Sequence, residues 1–203
     1  MWAYYDRRVA YRKPGPQNVL NYFRGLGVNA DLAAINAELD QVCLCLGELP
    51  SEDFVDLGAG PSGEFTGRLA GHGLTLDQSL GALQRLRRVL PAVALVRADA
   101  TRIPLRDKGV GRVFMAHLYG LLLPDERAAL LSEACRVGRE IVILDSGRPT
   151  GVRAEEWQTR TLPDGSEYSI FRRHFDINAL IDEVGGEALF SGQYFVMIRR
   201  VVE

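Results

Sequence analysis

The sequence predicts an α/β fold: a doubly wound, mostly parallel seven-stranded sheet with a C-terminal antiparallel hairpin and an N-terminal helical arm. Three observations predict it. From Phe54 to Asp145, short apolar runs alternate with segments of helical period. A glycine-rich turn, Gly58-Ala59-Gly60-Pro61-Ser62-Gly63, follows the first of these runs. Beyond Asp145 the order changes to pairs of strands around turns.

The elements follow in order. Residues 1–30 are polar and aromatic, with Tyr4, Tyr5, Tyr11 and Tyr22 around the breakers Pro14-Gly15-Pro16, and read as an arm plus a short helix from Gln17 to Arg24. Asp31 to Leu46 carries Leu32, Ile35, Leu39, Val42 and Leu46 at helical spacing, with Asp31 as N-cap, and Gly47 and Pro50 end it. Phe54 to Leu57 is the first strand, and Glu64 to Ala70 reads as a helix after the glycine turn. Leu74 to Leu76 is the second strand, closed by Asp77. Ser79 caps a helix from Leu80 to Leu90 with Leu83, Leu86 and Leu90 on one face. Strands at Val93 to Val96, Arg112 to Ala116 and Glu140 to Leu144 complete the parallel set, with a helix from Asp125 to Val137 between the last two. Trp157 to Leu162 and Tyr168 to Phe175 form a hairpin round Pro163-Asp164-Gly165. A helix from Asp176 to Val184 precedes a final hairpin, Ala188 to Phe190 and Tyr194 to Val201.

At 203 residues and 47% hydrophobic, the chain is expected to form one domain over 1–203, with arm and helices in 1–50, a cofactor-binding core in 51–145 and a substrate-side insertion with the hairpin in 146–203. The net charge of −2 gives no pull toward nucleic acid or an anionic membrane, and neither is expected as a partner. Cys43, Cys45 and Cys135 form no C-x-x-C pair, and Cys43 and Cys45 do not face each other on a helix, so no disulfide framework or metal site is expected. Buried thiols, no apolar run near ~18 residues and no signal-peptide pattern point to the cytoplasm. Only Lys13 and Lys108 are lysines, an arginine bias expected of GC-rich bacterial coding.

The glycine turn brings the backbone close to a ligand, and a helix opening after it would favour a carboxylate. The turn also fits the dinucleotide pattern G-x-G-x-x-G. Asp56 at the mouth of the first strand suits a cationic ligand and would repel a pyrophosphate.

Taken together, Asp56-Leu57-Gly58-Ala59-Gly60, the acid Asp77, Asp99-Ala100 with Pro104, and Pro124-Asp125 opening a helix that ends in Cys135-Arg136-Val137 make the chain resemble the class I S-adenosylmethionine-dependent methyltransferases. The resemblance runs from about Phe54 to Asp145 and more loosely through the last hairpin. One departure is Ser62, which stands where the family carries glycine, with Gly63 following. The resemblance implies a Rossmann-like sheet and S-adenosylmethionine as cofactor, held by Asp56, Gly58, Ala59, Gly60, Asp77, Gln78, Asp99, Ala100 and His117. Asp77 would accept the ribose hydroxyls, Asp99 the adenine amino group, and His117 would face the sulfonium end.

Catalysis then asks chiefly for in-line positioning of a nucleophile, and for a base where the acceptor loses a proton. His117 and Tyr119 are the candidates, followed by Tyr4, Tyr5 and His174. His174 beside Arg172 and Arg173 reads either as a subsite for an anionic substrate or as a solvated charge run. The aromatic arm reads as a core staple or as a cover over the cofactor. Trp157 and Tyr168 would line the acceptor site or a homodimer interface. Ala116-His117-Leu118-Tyr119 lacks the Asn/Asp-Pro-Pro-Tyr/Phe of amino-methylating nucleic-acid enzymes and the acid of metal-dependent catechol-type enzymes, which leaves a small-molecule acceptor. A nicotinamide-dependent oxidoreductase and a non-catalytic cofactor-binding protein of the same fold are the alternatives.

Overall fold

The computed structural model describes residues 2–8 and 15–203, apart from the side chains of Trp2, Ala3 and Tyr5; the candidate base Tyr5 and the arm residue Tyr11 therefore lie outside the described residues. In chain order the elements are α1 (Trp2–Arg8), α2 (Pro16–Gly25), α3 (Leu32–Glu48), β1 (Phe54–Leu57), β2 (Gly73–Asp77), α4 (Leu80–Val89), β3 (Ala94–Arg97), β4 (Val110–Ala116), α5 (Pro124–Val137), β5 (Gly138–Ser146), β6 (Glu155–Thr161), β7 (Glu167–Arg173), α6 (Ile177–Val184), β8 (Glu187–Ser191) and β9 (Phe195–Val201). Seven strands form one sheet in the order β3-β2-β1-β4-β5-β9-β8, and β6 and β7 pair separately. The first five of that order run parallel, whereas β9 is antiparallel to both β5 and β8.

Strand periodicity explains the layering. Along β5, Ile141 and Ile143 pack with Leu130, Ala134 and Val137 of α5 and Leu180 and Val184 of α6. The alternate residues Val142 and Leu144 pack with Leu20 and Phe23 of α2 and Ile35, Val42 and Leu46 of α3. Both faces are covered, as a parallel sheet requires. The predicted caps form: Asp31 accepts from the Ala34 N–H at 2.9 Å, Ser79 from Ala82 at 3.1 Å and Asp176 from Ala179 at 2.9 Å. Each such cap is worth about 1 kcal/mol.

One predicted element is corrected. No α-helix follows the glycine turn; Thr66–Arg68 makes a single 3-10 turn instead. The buried Asp56 carboxylate draws the Thr66 hydroxyl inward at 2.5 Å, the Gly67 N–H bonds Gly63 carbonyl oxygen, and Leu69 is already extended. The expectation of a helix N-terminus there to favour a carboxylate falls with it. The glycine that stands one place late keeps the loop's course: Gly63 has φ of 59°, and a Cβ on it would lie 2.6 Å from Leu86 and Leu90.

Candidate active site

The carboxyl ends of β1, β2, β4 and β5 open into a cavity of about 450 Å³, walled also by α1, α2 and the β6–β7 hairpin. Its floor is the predicted loop. Asp56, Gly58, Ala59, Gly60, Asp77 and Gln78 all line it, as does Ala100. Gly58 has φ of 70° and packs against Leu118, so that a side chain there would be both strained and crowded. Asp77 organises the loop around itself: its carboxylate accepts the Gly60 N–H at 3.0 Å and the Ser79 N–H at 2.8 Å. Asp99 differs from expectation. It is exposed, it lies outside the cavity lining that includes Ala98 and Ala100, and its Oδ1 accepts the N–H and hydroxyl of Thr101.

Asp56 is 1% exposed. Thr66 satisfies Oδ2, whereas Oδ1 has no hydrogen-bond partner among the described residues. Burial pushes the carboxyl up to about 7, and Asp77 adds to the rise against the Thr66 hydrogen bond. A buried carboxyl beneath the cavity floor with one oxygen unsatisfied fits a cationic group of a ligand. The amino group of S-adenosylmethionine is such a group, so the residues present fit that cofactor.

At the end of β4, His117 has φ of 55°, a left-handed conformation uncommon outside glycine. Its N–H is fixed to the Leu144 carbonyl at 2.8 Å, and its ring lies between Phe65 and Phe195. Nδ1 faces Ser146 Oγ at 3.4 Å and Asp145 Oδ1 at 3.8 Å, which leaves Nε2 on the opposite edge of the ring. Asp145 is fully buried and accepts the Gly120 and Ser146 N–H groups, each at 2.7 Å. Burial alone would raise its pKa, but His117, the Arg172 guanidinium and the Gly120 N–H outweigh burial and hold the carboxyl below its ordinary range.

Tyr119 is not brought to this site. Its hydroxyl donates to Glu183 at 2.9 Å, its ring stacks on Phe175, and burial with the Glu183 charge pushes the phenol well up. A phenol so held does not serve as a base toward the cavity. Tyr4 does line the cavity. His174 is a buried wall residue: Nδ1 donates to the Arg153 carbonyl at 3.1 Å, so Nε2 accepts from the Tyr22 hydroxyl at 2.6 Å. Burial, with Arg172 adding, pushes its pKa down to about 4, and the ring is neutral at pH 7.

The hairpin alternates. Gln158 and Arg160 of β6 and Ile170 and Arg172 of β7 line the cavity. Trp157 is 61% exposed against Phe171, and Tyr168 packs on Tyr4; neither lines the cavity. Arg173 points away to Glu155 and Glu183. Sequence reasoning missed Asp145, Ser146 and Arg160; it named Tyr22 only as part of the aromatic arm and Arg172 only beside His174 and Arg173, as an anion subsite or a solvated charge run. For Asp145 there was a signal: an acid closing an all-apolar strand at the sheet's carboxyl edge, where α/β proteins place their ligands.

Residues 55–142 match the family model described as a methyltransferase domain. Two solved structures of DhpI, one with SAH and one with SAM and HEP, superpose on 98% of this chain. They are covered over 94% and 95% of their own length, with TM-scores of 0.69 and 0.68 at 19% identity. The PH0226 protein from Pyrococcus horikoshii OT3 superposes over 86% of this chain and 93% of its own, with a TM-score of 0.63 at 12% identity. At these identities the superpositions speak for the fold. No curated protein sequence matches the chain. Among the described residues, no three His, Cys, Asp or Glu side chains are grouped to hold a metal, and no helix is long and apolar enough to cross a membrane.

Proposed function

We propose that the protein is a class I, S-adenosylmethionine-dependent methyltransferase that methylates a small molecule by in-line displacement, with His117 as the base; the methyltransferase-domain match over residues 55–142 supports this reading. The observation that carries this reading is the continuity of the cavity. One walled volume of about 450 Å³ joins the acid-lined loop to His117, a size suited to small ligands.

S-adenosylmethionine supplies a methyl group on a positively charged sulfur: the acceptor's lone pair bonds the methyl carbon, the S–C bond breaks with its electron pair staying on sulfur, and S-adenosylhomocysteine is left. The chain's own residues divide the remaining work. Asp56 offers its unsatisfied Oδ1 to the donor's amino group, and Asp77 holds the loop at Gly60 and presents its carboxylate to the donor's hydroxyls. His117 takes the acceptor's proton at Nε2, and the imidazolium so formed is stabilised by the ionised Asp145 behind Nδ1. This His–Asp pairing favours turnover over a purely binding role. A nicotinamide dinucleotide is disfavoured because its pyrophosphate would meet Asp56, and the long helix that would receive it is replaced by a 3-10 turn.

The test is calorimetric titration with S-adenosylhomocysteine and, separately, NADH, followed by an acceptor screen that reads S-adenosylhomocysteine release. We expect the first to bind with a micromolar Kd and NADH not to bind. Binding of NADH alone would move the protein to the oxidoreductases.

A further inference from the structure

The cavity carries opposite charges at its two ends. Asp56, Glu64 and Asp77 line the loop end. At the other end two guanidinium groups flank one ring: Arg160 Cζ lies 5.0 Å and Arg172 Cζ 5.6 Å from the Tyr22 ring centre. All three side chains line the cavity. The Tyr22 hydroxyl is fixed between the His174 ring, to which it donates, and the Gln158 amide, which donates to it at 3.3 Å.

The acids facing these arginines do not match them. Arg172 is compensated by Asp145 at 3.6 Å, with Ser146 Oγ beside it and Glu156 opposite in strand register. Glu156 accepts from the Gln158 amide, and the Gln158 side-chain oxygen in turn accepts from Arg160. Arg160 is half-buried and has no carboxylate within ion-pair distance among the described residues. Arg8 on α1 also lines the cavity, over the Tyr4 ring and without an acid partner among the described residues. A planar guanidinium held over an aromatic ring in a walled cavity is arranged for two-point recognition of an oxyanion.

We propose that the acceptor is an anion whose carboxylate or phosphate-type oxyanion is held by Arg160 and Arg172 beside Tyr22, which leaves its nucleophilic atom toward His117. This deepens, and rests on, the reading of the cavity as a methyl-transfer site. The two ends of the cavity then sort two ligands by charge, the cationic donor to the acids and the anionic acceptor to the arginines.

The experiment titrates S-adenosylhomocysteine-saturated protein with inorganic phosphate, with 4-hydroxybenzoate and with its neutral methyl ester. We expect at least one oxyanion to bind, the neutral ester to bind about tenfold more weakly or not at all, and Arg160→Gln to weaken the oxyanion about tenfold. S-adenosylhomocysteine affinity in the same variant should change by less than about threefold. Tighter phosphate or tighter carboxylate assigns the oxyanion class. Equal binding of acid and ester, unchanged oxyanion binding in Arg160→Gln, competition between the oxyanion and S-adenosylhomocysteine, or no oxyanion binding at about 20 mM would each overturn the proposal. The initial loading with S-adenosylhomocysteine tests the underlying methyl-transfer reading on its own. Because Arg172 is buried, Arg172→Gln enters only after its thermal melt matches the parent protein.

Discussion

The loop end of the cavity and the arginine end are built in different ways. The loop end comes from one stretch, β1 to the turn after β3, in which each contributor lies close in sequence to the next. The arginine end is assembled from α2, the end of β5 and the β6–β7 hairpin, and its central hydrogen bond joins Tyr22 to His174 across 152 residues. The first arrangement presents backbone turns and two acids to the cavity. The second presents long side chains braced on aromatic rings. A shared cofactor fits a local, backbone-made site, and a particular acceptor fits a site made from dispersed side chains.

This contrast is sharpest at the junction of the two ends. His117→Gln should lower kcat by about 10²–10³-fold while leaving S-adenosylhomocysteine affinity within about threefold. Equal losses in turnover and affinity, read from steady-state kinetics beside calorimetry, would make His117 part of the donor site. Next in size, Asp77→Ala should weaken S-adenosylhomocysteine by about 1–3 kcal/mol, through lost ribose contacts and a loosened Gly60 turn. Unchanged affinity in a folded variant would sink that role.

Asp56 links ligand binding to protons. Its folded pKa of about 7 lies above the unfolded value of 3.8, so the empty protein loses stability as pH rises through that interval. Asp56→Asn should therefore melt higher at pH 8, by about 1–3 kcal/mol, while binding S-adenosylmethionine more weakly. In the parent protein, affinity for this cation should rise between pH 6 and 8 with release of a proton, measurable by calorimetry in buffers of different ionisation enthalpy.

The smallest expected effect compares the ends directly. His174, depressed from 6.5 to about 4, loses stability as pH falls through that interval, the opposite slope to Asp56. The two contributions nearly cancel in the parent protein. In Asp56→Asn the His174 slope should emerge as a gain of about 1–2 kcal/mol from pH 4.5 to 6.5, read by denaturant titration. A flat profile in that variant would remove His174 from the pH response.

The sheet, the caps and the loop end were legible because they rest on local chemistry: apolar runs, glycine turns, and acids at strand ends. The supposed helix after the turn failed because tertiary burial of Asp56 captured Thr66, a competition no local pattern records. The arginine end was only half legible. Both faces of the hairpin mix charged and aromatic residues, so Arg172 and Arg173 look alike in sequence, and only the register decides which one faces the cavity. Tyr119 and His117 sit two residues apart, yet the left-handed turn at His117 sends one to the cavity and the other to Glu183.

The hairpin that carries Arg160 and Arg172 pairs only with itself as a sheet; beside it one β-bridge joins Gly147 to Phe175, and Arg172 reaches Asp145 and Ser146 of β5. Gln158 and Arg160 can therefore vary without disturbing a strand of the main sheet, whereas Arg172 is bound to Asp145 and Ser146 of β5. Descent could retune such a chain toward new acceptors by exchanging alternate residues on one short ribbon. A library randomised at the half-buried positions 158 and 160 would meet the least resistance, whereas Ile170 and Arg172 are buried and Arg172 answers the Asp145 carboxylate.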